Sequence, residues 1–235
     1  MSIIIGDARD MDLSQFQKYS TIVADPPWYY PDQKKVRKDT KVPTKGIGAC
    51  HHYDLMMLDE ICAMPITTLT AKKCLLFLWT TAPKLPEALA VMNAWGFDYS
   101  TVGFVWVKLN PKLAILPIRK LISLLGELRL LKFLDKLTFY GPGYYTGSNV
   151  ELVLIGRKKK VNSIRHGEYK ASQVFYGPRT EHSRKPDEIQ SMIERMYPGP
   201  YLELFARRPR DGWDTFGNEV VAETAGLPLF ESQHI

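Results

Sequence analysis

The most informative stretch for the fold is Thr21-Ile22-Val23-Ala24-Asp25-Pro26-Pro27-Trp28. Its first four residues are apolar or β-branched without alternation, which is typical of a strand buried on both faces of a parallel sheet. Proline has no N–H to donate, so the two prolines must end the strand and turn the chain. Asp25 is thereby predicted at the carboxyl end of a strand, where open α/β sheets bind their ligands. We therefore expect this corner to be the catalytic site, with Trp28 as an exposed aromatic beside it.

Length and composition predict one globular domain. The chain has 235 residues, of which 45% are hydrophobic and 24% charged, and both values are ordinary for such a domain. The formal charge of +6 is compatible with a polyanionic partner such as nucleic acid. The three cysteines contain no CxxC pair, so we expect reduced thiols in a cytoplasmic compartment, or a nuclear one in a eukaryote.

Neither a membrane segment nor a metal site is expected. Residues 1–6 lack a basic region followed by a long apolar core, which a signal peptide would need. The most apolar segment, 113–134, carries too many charged residues for a membrane span. The five histidines are His51, His52, His166, His182 and His234. Their scattered positions offer no metal-ligand spacing.

Strands and helices alternate along the chain. Apolar runs predict strands at 3–5, 21–24, 74–79, 101–107, 150–155 and 201–205. Apolar residues at helical spacing, with prolines and a glycine as boundary signals, predict helices at 59–69, 86–95 and 186–196. This alternation predicts an α/β fold with a mostly parallel central sheet flanked by helices.

Two loops are candidates for contact with a nucleic acid. Residues 29–52 form a long basic segment, which predicts a lid or a phosphate-binding loop. Its candidate substrate-binding residues are Tyr29, Lys34, Lys35, Arg37 and Lys38. In the glycine-rich segment 141–149, Tyr144 and Tyr145 could stack on bases. A solvated surface loop and ordinary turn chemistry are the respective alternatives.

Two further segments are set apart from the predicted core. Residues 112–140 are a leucine-rich helical insertion whose helix, 118–134, has an apolar stripe. Such a stripe packs on the parent core or, alternatively, forms a dimerisation or partner-binding surface. Residues 221–235 are predicted to be a C-terminal tail, so the single domain spans residues 1–220.

Asp25-Pro26-Pro27-Trp28 matches the DPPW form of the (D/N/S)PP(W/Y/F) motif of amino methyltransferases. Matching landmarks in the matching order are Gly6–Arg9, Leu76–Trp79, Val105–Lys108, Ser183–Ile189, Glu203–Arg207 and Trp213–Glu219. Together, from about residue 3 to 220, they resemble the MT-A70 family of S-adenosylmethionine-dependent N6-adenine methyltransferases. The resemblance implies a Rossmann-like fold with permuted motif order, in which the catalytic motif precedes the main cofactor motif. Phe205-Ala206-Arg207 stands where a glycine-rich cofactor loop is usual.

The resemblance implies that Asp25, Pro26, Pro27 and Trp28 are catalytic. Adenine N6 is a poor nucleophile because its lone pair is delocalised into the ring. The Asp25 carboxylate and the Pro26 carbonyl can each accept an N6–H hydrogen bond. Both would stabilise the charge that develops as N6 attacks the sulfonium methyl, and proline rigidity keeps them aligned. Trp28 is expected to stack on or wall the flipped or single-stranded base.

The resemblance also implies a set of residues that bind S-adenosylmethionine. They are Asp7 and Ala8 at the donor's adenine, Lys185 at its carboxylate, Asp25 at its amine, Arg207, Asn218 and Glu219 at its ribose, and Glu203 as a ligand or as support for Arg207. An acid at a strand end on ribose hydroxyls is the familiar logic of nucleotide sites.

Three alternatives stay open at this point. The chain could be a non-catalytic methyltransferase-fold subunit, although its intact Asp25, Lys185 and Asn218 argue against that. It could methylate cytosine N4 or a protein glutamine, although an aspartate at the first motif position favours adenine. The nucleic acid could be RNA rather than DNA. We favour DNA, because no zinc finger or other RNA-binding module is evident, and expect a homodimer or a methyltransferase-like partner to add recognition surface.

Overall fold

Eight strands and three helices make up the part of the chain described by this computed structural model. The described residues are 3–5, 17–30, 55–110, 137–139, 141, 145–158, 168–179 and 184–217. The strands are β1 (Ile3–Ile5), β2 (Tyr19–Ala24), β3 (Thr70–Thr80), β4 (Asp98–Leu109), β5 (Val150–Arg157), β6 (Val174–Pro178), β7 (Tyr201–Leu204) and β8 (Trp213–Gly217). The helices are α1 (Leu58–Ala63), α2 (Leu85–Ala94) and α3 (Asp187–Met196). The predicted α/β class is confirmed.

All eight described strands lie in one sheet, in the order β1-β8-β7-β2-β3-β5-β4-β6. Five of the seven neighbouring pairs are parallel, and both antiparallel pairs involve β5. The prediction of a mostly parallel sheet is therefore matched in part. Strand β5 runs the other way because the chain leaves β4 and enters β5 at the same end of the sheet, which requires no crossover. The fold is that of a Rossmann-like methyltransferase.

The strands in the middle of the sheet are buried on both faces. Along β2, Ile22 packs into the core under α1 and α2, whereas its neighbour Val23 packs into the core under α3. Leu76 and Phe77 of β3 divide between the same two cores. This double burial explains why the central strands read as continuous apolar runs rather than alternating ones.

Two helices follow their sequence signals and one is shorter than predicted. Helix α2 has a proline in its first turn, and Gly96 follows it with φ +76°, a left-handed conformation that favours glycine. Helix α3 begins after Pro186, with two acidic residues in its first turn. Helix α1 was predicted to reach residue 69 but ends at Ala63, because Met64 leaves the helical conformation ahead of Pro65, as residues before proline tend to do. A 3₁₀ turn, Ile66–Leu69, completes the connection to β3.

Several predicted segments lie outside the described residues. They are most of the basic loop 29–52, nearly all of the insertion 112–140, and the tail 221–235. Among the helices that the structure does describe, none has the length and apolar character to cross a membrane.

Candidate active site

The turn after β2 is held by three backbone hydrogen bonds. The Asp25 N–H donates to the Leu204 carbonyl of β7 at 3.5 Å, which keeps Asp25 at the edge of the sheet. The Trp28 N–H donates to the Pro26 carbonyl at 2.8 Å, and the Met56 N–H donates to the Pro27 carbonyl at 3.0 Å. A carbonyl oxygen has two lone pairs. Pro26 therefore retains one of them as an acceptor for a ligand.

Trp28 lies in the core, so the expectation that it is an exposed aromatic is wrong. Only 8% of its surface is accessible, and its Nε1–H donates to the Trp79 carbonyl at 3.3 Å. It packs with Met56 and Leu78 in the core under α1 and α2. Burial of an amphipathic indole with its N–H satisfied is the favourable arrangement for tryptophan. A base can meet at most an edge of this ring.

Four charged side chains form a continuous chain behind the turn. Lys185 Nζ lies 2.8 Å from Asp25 Oδ2 and 3.1 Å from Glu151 Oε2. Lys108 Nζ lies 2.5 Å from the other carboxylate oxygen of Glu151. Two aromatic rings border the chain, with Lys185 5.5 Å from the ring centroid of Trp79. The side chains come from four separate segments: the end of β2, β4, β5 and the residue pair before α3.

The oppositely charged side chains in this group favour one another's ionised forms. Burial alone would lower the pKa of Lys185, but the carboxylates of Asp25 and Glu151 raise it above its ordinary value. Burial would likewise raise the pKa of Glu151, but Lys185 and Lys108 hold it below the ordinary value. Both groups are therefore charged at neutral pH. The result is a fixed set of charges that places the Asp25 carboxylate.

A cavity of about 220 Å³ opens in front of Asp25. Its lining residues are Asp25, Trp79, Arg184, Lys185, Asp187, Gln190, Glu203, Phe205, Arg207, Arg208, Pro209 and Arg210. Glu203 of β7 lies beside β2, with Val23 as its register partner. Burial is the main reason that the pKa of Glu203 rises to about 7, and the Asp25 charge adds to the rise. Gln190 and Arg210 act in the opposite direction.

The arginine-rich connection after β7 is fastened to α3. Arg210 donates from Nε to Glu194 Oε1 at 2.7 Å and from Nη2 to Glu194 Oε2 at 3.1 Å. Trp213 Nε1 donates to the same carboxylate at 2.6 Å. Asp187, in the first turn of α3, pairs with both Arg184 and Arg208. These contacts hold part of the cavity wall in place.

The turn at Phe205 takes the backbone conformation that a glycine would otherwise supply. Phe205 has φ +60°, a left-handed conformation that costs a non-glycine residue of this kind about 1 kcal/mol or more. The next residue, Ala206, donates its N–H to the Phe216 carbonyl at 2.9 Å. At Gly217 an added Cβ would lie 2.0 Å from the Ala206 carbonyl oxygen. The ends of β7 and β8 are therefore in close backbone contact beside the cavity.

The structure brings part of the predicted site together. Asp25, Lys185, Glu203 and Arg207 line one cavity, Pro26 and Pro27 form its adjoining turn, and Tyr29 is partly buried next to it in the chain. Tyr145 is fully exposed and does not line the cavity. The predicted residues outside the described ranges are Asp7, Ala8, Lys34, Lys35, Arg37, Lys38, Tyr144, Asn218 and Glu219. The strands before Asp7 and Asn218 end side by side, with Ile5 in register with Gly217.

Glu151 and Tyr30 are among the residues of this corner that were not predicted from the sequence. Glu151 links both lysines of the charge chain, and its signal in the sequence was an acid within an apolar strand, the same signal that marked Glu203. Tyr30 shares a 2.6 Å hydrogen bond with Thr81 Oγ1. Burial raises the pKa of Tyr30, and its titration also responds to the charges of Glu151, Lys185 and Asp25. No comparable signal marked Tyr30.

Comparison with known proteins points to the same family as the sequence motifs. The MT-A70 family model matches residues 19–120 and 122–219. The type II methyltransferase M.MunI of Mycoplasma sp. is 31% identical over 221 residues, which cover 90% of this chain and 82% of that protein. The N(6)-adenosine-methyltransferase catalytic subunit METTL3 of Homo sapiens is 26% identical over 220 residues, 92% of this chain and 31% of its own. The MT-A70-like N(6)-adenosine-methyltransferase of Drosophila melanogaster is 25% identical, over 91% of this chain and 29% of that protein. The matched region thus covers about a third of the length of these N(6)-adenosine methyltransferases.

Proposed function

The chain belongs to the MT-A70 family of adenine N6-methyltransferases, and on that premise we propose that it methylates adenine in DNA at the Asp25 corner. S-adenosylmethionine is its methyl donor. The observation that carries the proposal is the Asp25 carboxylate itself. Its Oδ2 is held by Lys185, Oδ1 has no hydrogen-bond partner among the described residues, and the Asp25 side chain lines the cavity.

The residues at the cavity fit a cationic donor with a carboxylate and an amine. Asp25 and Glu203 provide two acidic groups within one small cavity, and Lys185 and Arg207 provide cations at its edge. The volume of about 220 Å³ is below the ~300–1,000 Å³ of pockets that hold a whole cofactor-sized ligand. The cavity therefore suits the methionine and sulfonium part. The adenosine part is assigned to the adjoining ends of β1 and β8, where Asp7, Ala8, Asn218 and Glu219 follow in the chain.

The acceptor side of the reaction is assigned to the turn. Asp25 Oδ1 and the remaining lone pair of the Pro26 carbonyl accept the two N6–H groups and orient the N6 lone pair toward the donor. The bound donor supplies a methyl group that forms the new N–C bond, while the C–S electron pair stays on sulfur as a neutral thioether. N6 then releases one proton to water. The small accessible part of Trp28, whose ring is held by its hydrogen bond to Trp79, forms a rigid wall for the base.

Two observations favour DNA over RNA as the polymer. The relative that shares 31% identity over most of both chains is named a type II methyltransferase and not an N(6)-adenosine-methyltransferase. The N(6)-adenosine methyltransferases share 24–26% identity and extend well beyond the matched region. The net charge of +6 suits either polymer, because phosphate contacts carry no base information.

A side-by-side assay tests both levels of the proposal. The purified protein is incubated with labelled S-adenosylmethionine and single-stranded DNA, duplex DNA or RNA of matched sequence, and the products are digested to nucleosides. We expect N6-methyladenine in DNA. N6-methyladenine in RNA alone would overturn the choice of polymer, and no methylated adenine in any of them would overturn the assigned activity.

A further inference from the structure

Two of the carboxylates that line the cavity, Asp25 and Glu203, have opposite surroundings. Asp25 has a cationic partner, Lys185, at 2.8 Å. Glu203 has no ion-pair partner among the described residues, although it lies on the neighbouring strand and lines the same cavity. A half-buried acid without a cation is costly in its ionised form. Glu203 is therefore a group whose charge depends on what enters the cavity.

None of the described elements next to Glu203 supplies a cation that forms an ion pair with it. Toward β2 the nearest charge is the negative one of Asp25, and on β8 its register partner is Thr215, which is fully buried with an unpartnered Oγ1. From α3, Gln190 lowers the pKa of Glu203, although its buried Nε2 is within hydrogen-bonding distance and angle of no acceptor. The guanidinium of Arg210 is already bound to Glu194 and Ser191. Buried polar atoms without partners mark a place where a polar ligand completes the structure.

The remaining charged groups at the cavity are also engaged. They are Arg184, Lys185, Asp187, Arg207 and Arg208. Asp187 pairs with two of the arginines, and Lys185 pairs with Asp25 and Glu151. Apart from these groups, Arg210 also lowers the pKa of Glu203, and its own carboxylate partner, Glu194, reduces that effect.

We propose that Glu203 senses the charge of the methyl donor: it ionises when the sulfonium binds and takes its proton back when the neutral thioether product remains. This inference rests on the proposed function, because it assumes that the cavity holds the sulfonium end of S-adenosylmethionine. A cation in a cavity of low dielectric favours the ionised form of a nearby carboxyl group. The product has lost that cation, so a proton on Glu203 removes the attraction that held the donor. The site thereby prefers donor over product.

The inference predicts a measurable release of protons on binding. At pH 7 a carboxyl group with a pKa of about 7 is roughly half protonated, so the donor should displace up to about half a proton per site. The product should displace much less. Proton release is measured by calorimetric titration at pH 7 in buffers of different ionisation enthalpy, with S-adenosylmethionine and with S-adenosylhomocysteine.

Glu203→Gln is the informative variant, because glutamine has nearly the same shape and cannot ionise. We expect it to abolish the difference in proton release between donor and product, and to lower the donor-to-product affinity ratio about tenfold. Comparison with the wild type cancels any contribution from the ligands' own amine. Glu87→Gln, which removes a carboxylate outside the cavity, serves as the matched control and should behave as the wild type.

The outcomes separate this inference from the proposed function. Equal proton release with donor and product, or release that Glu203→Gln leaves unchanged, would overturn the role of Glu203 and leave the methyltransferase assignment intact. Failure of the wild type to bind either ligand would overturn both. If Glu203→Gln does not fold, infrared difference spectra of the wild type decide: a protonated-carboxyl band is expected in the product complex and not in the donor complex. The same band in both complexes would contradict the inference.

Discussion

The polar groups at the two ends of strand β2 differ in how far other protein groups satisfy them. At the amino end, the Tyr19 hydroxyl donates to Asp214 Oδ2 at 2.7 Å, and Gln17 donates to the same oxygen at 3.3 Å. Burial, together with the Asp214 carboxylate, raises the pKa of Tyr19 far above its ordinary value. At the carboxyl end, Asp25 and Glu203 border a cavity, and only Asp25 has an ion-pair partner among the described residues.

This contrast separates stability from function within one strand. The polar groups at the amino end satisfy one another inside the protein, so their contribution is to the free energy of folding. Those at the carboxyl end are partly satisfied by the charge chain and partly left for a ligand. Changes at the amino end should therefore alter unfolding and leave methylation intact, whereas changes at the carboxyl end should alter both or methylation alone.

The largest expected effect on stability is that of Lys185→Met. It leaves the Asp25 and Glu151 carboxylates without their shared cation, and breaking a buried ion pair in this way costs about 3–5 kcal/mol. We expect urea unfolding at pH 7 to show a loss of about 3 kcal/mol, since the side chain retains some exposure. Adding Glu151→Gln to this variant should restore part of the stability. A single variant as stable as the wild type would show that the charge chain does not hold the corner together.

A smaller effect is expected from Tyr19→Phe at the opposite end. The change removes the 2.7 Å hydrogen bond from Tyr19 to the buried Asp214 carboxylate, which should lower the free energy of unfolding by about 1–2 kcal/mol. The rate of methylation per folded molecule should stay the same. Tyr176→Phe, which removes an exposed hydroxyl, is the matched control and should change neither quantity. A loss of methylation in folded Tyr19→Phe would contradict the division between the two ends.

The effect expected from Glu203→Gln depends on pH, being near zero in acid and largest above pH 7. Because the pKa of Glu203 is raised from 4.5 to about 7 in the folded protein, its protonated form stabilises the fold. That stabilisation is complete below pH 4.5 and is lost as the pH rises through 7. In the absence of ligand, the variant should therefore be more stable than the wild type at pH 8 and equally stable near pH 4.5. A stability difference that does not vary with pH would show that Glu203 does not titrate in this range.

Features set by neighbouring residues could be predicted from the sequence. The apolar run of β2 and the two prolines after it placed the strand end correctly, because proline ends a strand whatever surrounds it. Helix α3 followed from Pro186 and the acids after it. The predicted strand at 150–155 lies within β5, but its reversed direction depends on which strands it pairs with. Pairing is a property of the whole sheet rather than of the segment.

The site shows the same division between local and tertiary information. Asp25 and Lys185 were identified through motif positions, and the structure places them 2.8 Å apart. Glu151 was missed because its role depends on two lysines that are distant in sequence, Lys108 and Lys185. Trp28 was wrongly expected to be exposed. Its contact with Trp79 depends on the packing of β3 beside β2, which the local sequence does not reveal. Residue type suggested the chemistry, whereas the register of the sheet determined the partners.

The most direct test compares Asp25→Ala with Asp214→Ala, one aspartate from each end. Single-turnover transfer of labelled methyl groups from S-adenosylmethionine is measured on the nucleic acid that the wild type methylates, alongside urea unfolding of each variant. We expect Asp25→Ala to reduce the rate of N6-methyladenine formation at least about 100-fold. We expect Asp214→Ala to unfold more easily and to transfer methyl groups at the wild-type rate per folded molecule. N6-methyladenine formed by Asp25→Ala at the wild-type rate would contradict the assignment of catalysis to this corner.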